Sequence, residues 1–304
     1  MTDADNASLP FLNEETVRAH LNMSDLIPAM AKALVDYSAG GFKQPDRQLL
    51  EVEPHGGFFA AMPAVGQSVG VKLVTFYPGN AERGVPTHLA MILLFRPETG
   101  EPLAIMDGRL ITEMRTSAVT AAVVDKVAKK EARSLAILGT GVQARTHVEA
   151  LTQVRQFDDI RIWGRSNERA EKLAGEIGAR AMTAEAAVGD ADVVITATSA
   201  KEPILKGAWL KPGTVVVAVG WNTNNGRELD DAVMRNLVIV ESRQGTANES
   251  GNIRGSGATI FAEAGEVLAG QKSIEPGATV IFDSVGMAAE DVAAASLVWE
   301  AWNR

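Results

Sequence analysis

The segment SLAILGTGVQARTHVEAL, residues 134–151, restricts the fold more than any other part of the chain. A short apolar strand pattern gives way to Gly139-Thr140-Gly141-Val142-Gln143-Ala144, and a helical pattern comes directly after. In a G-x-G-x-x-A turn the first glycine permits the tight reversal. The second lets the backbone approach a pyrophosphate, and the small last residue lets helix and strand pack closely. The helix N-terminus beyond adds unpaired N–H groups and the positive end of a dipole. A hexapeptide of this kind is weak alone; its weight comes from the strand–turn–helix context and from the pattern of residues 152–286.

That downstream region alternates. Strand-like runs are SLAIL (134–138), DIRIW (159–163), DVVITAT (192–198), TVVVAV (214–219), LVIVES (237–242) and TVIF (279–282), with helical stretches such as 142–154 and 167–177 between them. Such alternation predicts a parallel sheet with helices on both faces. The tip of the second strand selects the nucleotide. NAD binding calls for an Asp or Glu there, facing the ribose hydroxyls. This chain has Gly164, Arg165 and Ser166 instead. Arg165 suits a fork to a 2′-phosphate, with Ser166 adding a hydrogen bond and Arg169 helping from one turn along. The reading is NADP rather than NAD, although Arg165 also fits a solvated loop cation.

Upstream the pattern differs. Residues 14–37 have helical spacing and read as two helices, with Asn13 or Asn22 as a cap and Gly40-Gly41 closing the second. From Arg47 to Ile105 come short apolar runs, LLEV, FFAAMPA, VGVKLVTF, LAMILLF and LAIM, and RPETGEP reads as a hairpin turn. This part is α+β, built on an antiparallel or mixed sheet. A long helix at 112–129 joins the two parts, with the boundary near Thr116–Ser117. The last helix, 287–302, is free to return to the first part. The fold class is α/β: a Rossmann dinucleotide-binding domain at 117–286, plus an α+β domain from 1–116 and 287–304.

Composition narrows the function classes. The 304 residues suffice for two domains, and 46% hydrophobic with 22% charged residues is globular. A net charge of −9 argues against a nucleic-acid partner, whose phosphates call for clustered cations. No apolar run approaches the roughly 20 residues that cross a bilayer. The N-terminus MTDADNASLPF lacks the basic and apolar regions of a secretory signal, so the expected location is cytoplasmic. The absence of cysteine excludes disulfides and thiolate chemistry, and the four histidines show no metal-ligand spacing, so no metal is expected. His147, one turn into the helix after the glycines, reads as surface or packing. No G-x-S-x-G elbow is present.

Three cations stand out in apolar surroundings. Lys72 lies inside VGVKLVTF on the same face as Gly70 and Val74. A lysine buried on a sheet face must be paired or lose basicity, which suits proton transfer. Arg47 begins the first strand after KQPD, and Arg115 in TEMRTSAVT starts a helical stretch at the domain junction. Converging beside a nicotinamide, the three would bind a carboxylate and polarise an adjacent C=N or C=O. Taken singly, each also fits a surface charge or an edge-strand guard.

The ordered segments VKLVTFYPGN, GVPTH, MDGRLITEMRTSAVTAAV, ILGTGVQA, RIWGRS, EPIL, GRELDD, SGATIFAEAGEV and SVGMAAEDVAAA together resemble the ornithine cyclodeaminase/mu-crystallin family over nearly the whole chain, and most closely its mu-crystallin side. The resemblance implies a homodimer in which the α+β domain binds substrate and dimerises, with the active site in the interdomain cleft. It also implies that Arg47 and Arg115 hold the substrate carboxylate, that Lys72 contacts it and the reacting atom, and that Met62 lines the pocket. Thr116 would meet the cofactor phosphates; Gly139, Gly141, Val142, Gln143, Arg165 and Ser166 would form the dinucleotide site; Thr198 and Val285 would approach the nicotinamide.

One departure bears on activity. The cyclodeaminases carry an aspartate base where this chain has Asn222, in VGWNTNNGRELDD, and an amide cannot take up that proton. Asp230 and Asp231 read as helix caps and not as substitutes. The mu-crystallin branch also lacks this aspartate and is associated with reduction of cyclic ketimines by NADPH, so the resemblance implies NADPH-dependent reduction of a small cyclic imino acid, such as pyrroline-2-carboxylate or piperideine-2-carboxylate, with Asn222 among the substrate contacts. The alternatives are an alanine-dehydrogenase-like or other amino-acid dehydrogenase, an ornithine cyclodeaminase, and an NADP-dependent binding protein with little catalysis.

Overall fold

The structure, a computed structural model, describes residues 9–220 and 226–304. The chain opens with strand β1 (Phe11–Leu12) and helices α1 (Glu14–His20) and α2 (Met23–Ser38). Both asparagines cap: Asn13 accepts from Thr16 N and Asn22 from Asp25 N, one for each helix. Strands β2 (Leu50–Val52), β3 (Gly57–Val65), β4 (Val69–Phe76), β5 (His88–Phe95) and β6 (Pro102–Asp107) come next. Among the described residues they form a 6-stranded sheet in the order β1-β6-β5-β4-β3-β2. The sheet is mixed: β1 runs parallel to β6, and β2 to β6 pair antiparallel. Arg47 does not begin the first strand; β2 starts at Leu50, and the side chain of Arg47 is drawn across to backbone carbonyls of another segment.

Helix α3 (Gly108–Val127) begins one turn earlier than its apolar spacing predicts. Asp107, the last residue of β6, accepts from Leu110 N and so starts the helix straight from the strand. Arg115 consequently sits inside the helix and not at its start. The helix packs against α2 on one side and the second part of the chain on the other.

The second part runs β7 (Ser134–Leu138), α4 (Val142–Leu151), β8 (Asp159–Trp163), α5 (Asn167–Ile177), β9 (Arg180–Ala181), α6 (Ala184–Val188), β10 (Val193–Thr196) and β11 (Val215–Ala218). It continues with α7 (Asp231–Met234), β12 (Leu237–Val240), α8 (Arg243–Glu249), α9 (Gly251–Ser256), β13 (Ile260–Glu263), α10 (Ala264–Leu268), β14 (Val280–Asp283) and α11 (Ala288–Trp302). The strands form an all-parallel, 8-stranded sheet among the described residues, ordered β13-β12-β14-β11-β10-β7-β8-β9. The chain leaves β7 toward β8 and β9, then crosses to β10 on its other side. This is a doubly wound sheet whose order reverses at β7, where a crevice opens at the carboxyl ends of the strands. Strands β10 and β11 are buried at every position, as their unbroken apolar runs require with helices on both faces.

Helix α11 leaves this sheet and lies on α2, α3 and the inner face of β3, β4 and β5. It carries Glu290 and Asp291 into that apolar layer, both 0% exposed.

Candidate active site

The site forms where β14 hands over to α11. Glu241, just past β12 and fully buried, accepts from Ser284 Oγ (2.6 Å), Val285 N (3.0 Å) and Gly286 N (2.6 Å). These bonds pin the 284–286 turn and point its carbonyls outward. Arg47 Nη2 donates to the carbonyls of Val285 (3.1 Å) and Gly286 (2.9 Å), and its guanidinium lies 3.4 Å from Glu249. Gly286 has φ 80°, and a Cβ there would stand 2.7 Å from Arg115 Nη2. The turn is glycine because the arginine lies directly against it.

Arg115 and Lys72 meet the carboxylates of α11. Arg115 Nη1 donates to Glu290 Oε2 (2.7 Å) and its Nε to Asp291 Oδ1 (2.9 Å). Lys72 Nζ, on the inner face of β4, lies 2.5 Å from Asp291 Oδ2. Both cations are buried. Burial lowers the Lys72 pKa to about 8, with the charges of Arg115 and Arg47 adding to the effect and Asp291 opposing it. Burial resists charge on Asp291 too, yet Arg115 and Lys72 hold its carboxyl below the usual range. Glu290 goes the other way: burial, with Glu241 nearby, raises it well above an ordinary glutamate. His88 on β5 is pushed down to about 4 by burial and then by the charge of Lys72. A cavity beside this cluster is lined by Arg47, Met62, Val285, Tyr37, Asp46 and Glu249.

Along the crevice, Gly139 closes the turn after β7 with φ 144°, and a Cβ on it would lie 2.4 Å from Ala197 O. A Cβ on Gly141 would meet open space. Gly141 caps α4 without a side chain, so the leading N–H groups at Val142 and Gln143 face outward. That arrangement fits a dinucleotide's pyrophosphate. Arg165 and Arg169 are exposed beyond β8, and Ser166 caps α5, its Oγ accepting from Arg169 N (3.3 Å). Thr198, past β10, donates its N–H (2.7 Å) and hydroxyl (2.6 Å) to Glu228 Oε1. Burial raises the Glu228 carboxyl to about 7. Thr116 on α3 donates its hydroxyl to Thr112 O (2.7 Å).

The structure therefore brings Arg47, Lys72, Arg115, Met62 and Val285 together, and sets Gly139, Gly141, Val142, Gln143, Arg165, Ser166 and Thr198 along the carboxyl edge of the parallel sheet. Asn222 lies outside the described residues. His147 is fully buried packing: its ring bonds Thr120 Oγ1 (3.0 Å) and Gln143 O (2.7 Å). Sequence reasoning missed the acids. Glu241, Glu290 and Asp291 organise the cations, and the signal for two of them was the adjacent pair in AAEDVAAA, charged residues inside an otherwise apolar helix.

The family model for the ornithine cyclodeaminase/mu-crystallin family matches residues 9–304. The chain is 44% identical to the ketimine reductase mu-crystallin of Mus musculus, over 96% of this chain and 97% of that one. The structure of Thermococcus litoralis Δ1-pyrroline-2-carboxylate reductase in complex with NADH and L-proline superposes with a TM-score of 0.91 at 34% identity, covering 96% of this chain and 97% of that one. An archaeal alanine dehydrogenase dimer with bound NAD gives a TM-score of 0.91 at 29% identity, covering 96% and 95%.

Proposed function

The chain belongs to the ornithine cyclodeaminase/mu-crystallin family, and we propose that it is an NADPH-dependent reductase of small cyclic imino acids. The observation that carries the reading is the buried Lys72–Asp291–Arg115 cluster, a protonatable lysine and an arginine that lie behind Gly286 and Met62 in the wall of the cavity Arg47 lines. Pyrroline-2-carboxylate and piperideine-2-carboxylate have the matching chemistry, a carboxylate next to a C=N bond.

Arg47 and Arg115 hold the carboxylate, Met62 borders the ring, and Lys72 in its charged form donates a proton to the imine nitrogen. NADPH, when bound, supplies the hydride that completes the reduction at carbon. The turn at Gly139 and Gly141 with the start of α4 takes the pyrophosphate, Thr116 faces the phosphates, and Thr198 and Val285 border the nicotinamide. Arg165, with Ser166 and Arg169, reads the 2′-phosphate and makes NADPH the preferred form. Holding the reacting carbon at attack distance can supply up to ~7–11 kcal/mol.

The working form is a homodimer. Leu73 stands between Ala61 and Met91 on the outer face of the first sheet, and Leu50, Leu89 and Phe11 occupy the same face. Phe11 is 59% exposed and Met91 44%. A continuous apolar sheet face of this kind is the surface a second copy covers. The family's amino-acid dehydrogenases are the competing reading, and ammonia separates them. NADPH oxidation at 340 nm by piperideine-2-carboxylate without ammonia supports the reductase; oxidation only with a 2-oxo acid plus ammonia rejects it.

A further inference from the structure

Lys72 and Arg115 reach the site from different elements, β4 and α3, on side chains with several rotatable bonds each. A third element fixes them. Asp291 of α11 offers one oxygen to each cation, at 2.5 Å to Lys72 Nζ and 2.9 Å to Arg115 Nε, and is itself 0% exposed. Its neighbour Glu290 shares Arg115, through Nη1, and accepts from Met287 N at the start of α11; of the two acids it is Asp291 that also meets Lys72.

We propose that Asp291 is the positioning residue of this site: a single carboxylate on α11 aims both cations and keeps Lys72 charged within an apolar layer. The proposal rests on the reading of Lys72 as proton donor and adds what makes that donor work. Lys72 is faced by Asp291 from α11, Arg115 from α3, Arg47 from the loop before β2 and His88 from β5. Burial and the two arginines favour the neutral amine; Asp291 favours the ammonium. Removing its charge must therefore move the Lys72 titration to lower pH, together with the pH at which reduction fails on the basic side.

The test is a pH titration of Lys72 by NMR in the protein labelled with 13C-lysine, its signal assigned through Lys72→Met. Asp291→Asn is expected to lower the midpoint by about one pH unit or more, and to move the basic limb of kcat/KM with it, while Asp291→Glu keeps both within about half a unit of the unmodified protein. An unmoved midpoint in Asp291→Asn overturns the proposal. If Asp291→Asn does not fold, Asp291→Glu decides: the midpoint must hold while kcat/KM falls at least about fivefold because the cations are displaced. A shifted midpoint or an unchanged kcat/KM then overturns it. The titration needs no substrate, so a failure of the reductase reading, seen as no NADPH oxidation with any imino acid, leaves its result interpretable.

Discussion

The Nζ of Lys72 stands 2.5 Å from Asp291 Oδ2 in a layer sealed from solvent, so the lysine is one half of a buried ion pair. Such a lysine keeps its proton only through its partner, and gives it up more readily than an exposed one. Lys72→Met is expected to lower kcat by about 10²-fold or more, with NADPH affinity within a few-fold of the unmodified protein. Retention of most of the rate would remove Lys72 from the mechanism. In the unmodified enzyme kcat/KM should fall as pH rises through about 8, where the lysine loses its proton.

Gly286 separates the two arginines, bonded through its carbonyl to Arg47 and lying against Arg115. Gly286→Ala puts a Cβ into that contact at a positive φ, a strain of order 1–3 kcal/mol. The expected result is a KM for the imino acid raised about tenfold, with NADPH binding nearly unchanged. Equal losses for both ligands would point to general unfolding of the turn.

Arg165→Ala removes the cation assigned to the 2′-phosphate. A charge-assisted hydrogen bond contributes ~1.5–3 kcal/mol, so KM for NADPH should rise about 10-fold or more while KM for NADH stays put. If both coenzymes weaken together, Arg165 does not discriminate between them.

The outer sheet face predicts its own variant. Leu73→Asp with Met91→Asp places two carboxylates at directly paired positions of that face. Light scattering should show the dimer mass replaced by the monomer mass, with the NADPH site intact. A double variant that remains dimeric would place the interface elsewhere.

His147 yields a stability prediction with a definite sign. Burial lowers its pKa to about 4, so the folded protein holds it neutral while the unfolded chain takes up a proton near the ordinary value of 6.5. Between those values the unfolded state binds more protons, and stability falls as pH drops from about 6.5 to 4, by roughly 3 kcal/mol from this group. Denaturant midpoints measured across that window should show a slope that His147→Gln flattens.

The parallel sheet was legible because buried strands leave unbroken apolar runs, as in SLAIL, which matches β7 residue for residue, and in VVIT and VVVA of β10 and β11; the half-buried β8 matches DIRIW as well, with polar residues alternating along it. The glycine turn was legible because a positive φ packed against Ala197 suits no other residue at 139. Less visible was the start of α3, where one aspartate at a strand end outweighed the apolar spacing that begins later. Nor was β13 visible: its 4 residues lie within GNIRGSGATIFAEAG, a glycine-rich stretch that folds into α9 and a strand. The acids of α11 were hidden for a different reason. Adjacent carboxylates on a helix ordinarily face water, and only the return of α11 onto β4 and α3 shows that this pair is buried against cations supplied from residues 72 and 115.

Addition of hydrogen across the C=N bond of a cyclic imino acid can be followed with NADPH deuterated at both positions of nicotinamide C4, incubated with piperideine-2-carboxylate in ammonia-free buffer, with the product analysed by NMR. The expected product is pipecolate carrying one deuterium at C2. Unlabelled pipecolate, or no pipecolate while NADPH binds tightly, would exclude hydride transfer from NADPH to the imine carbon.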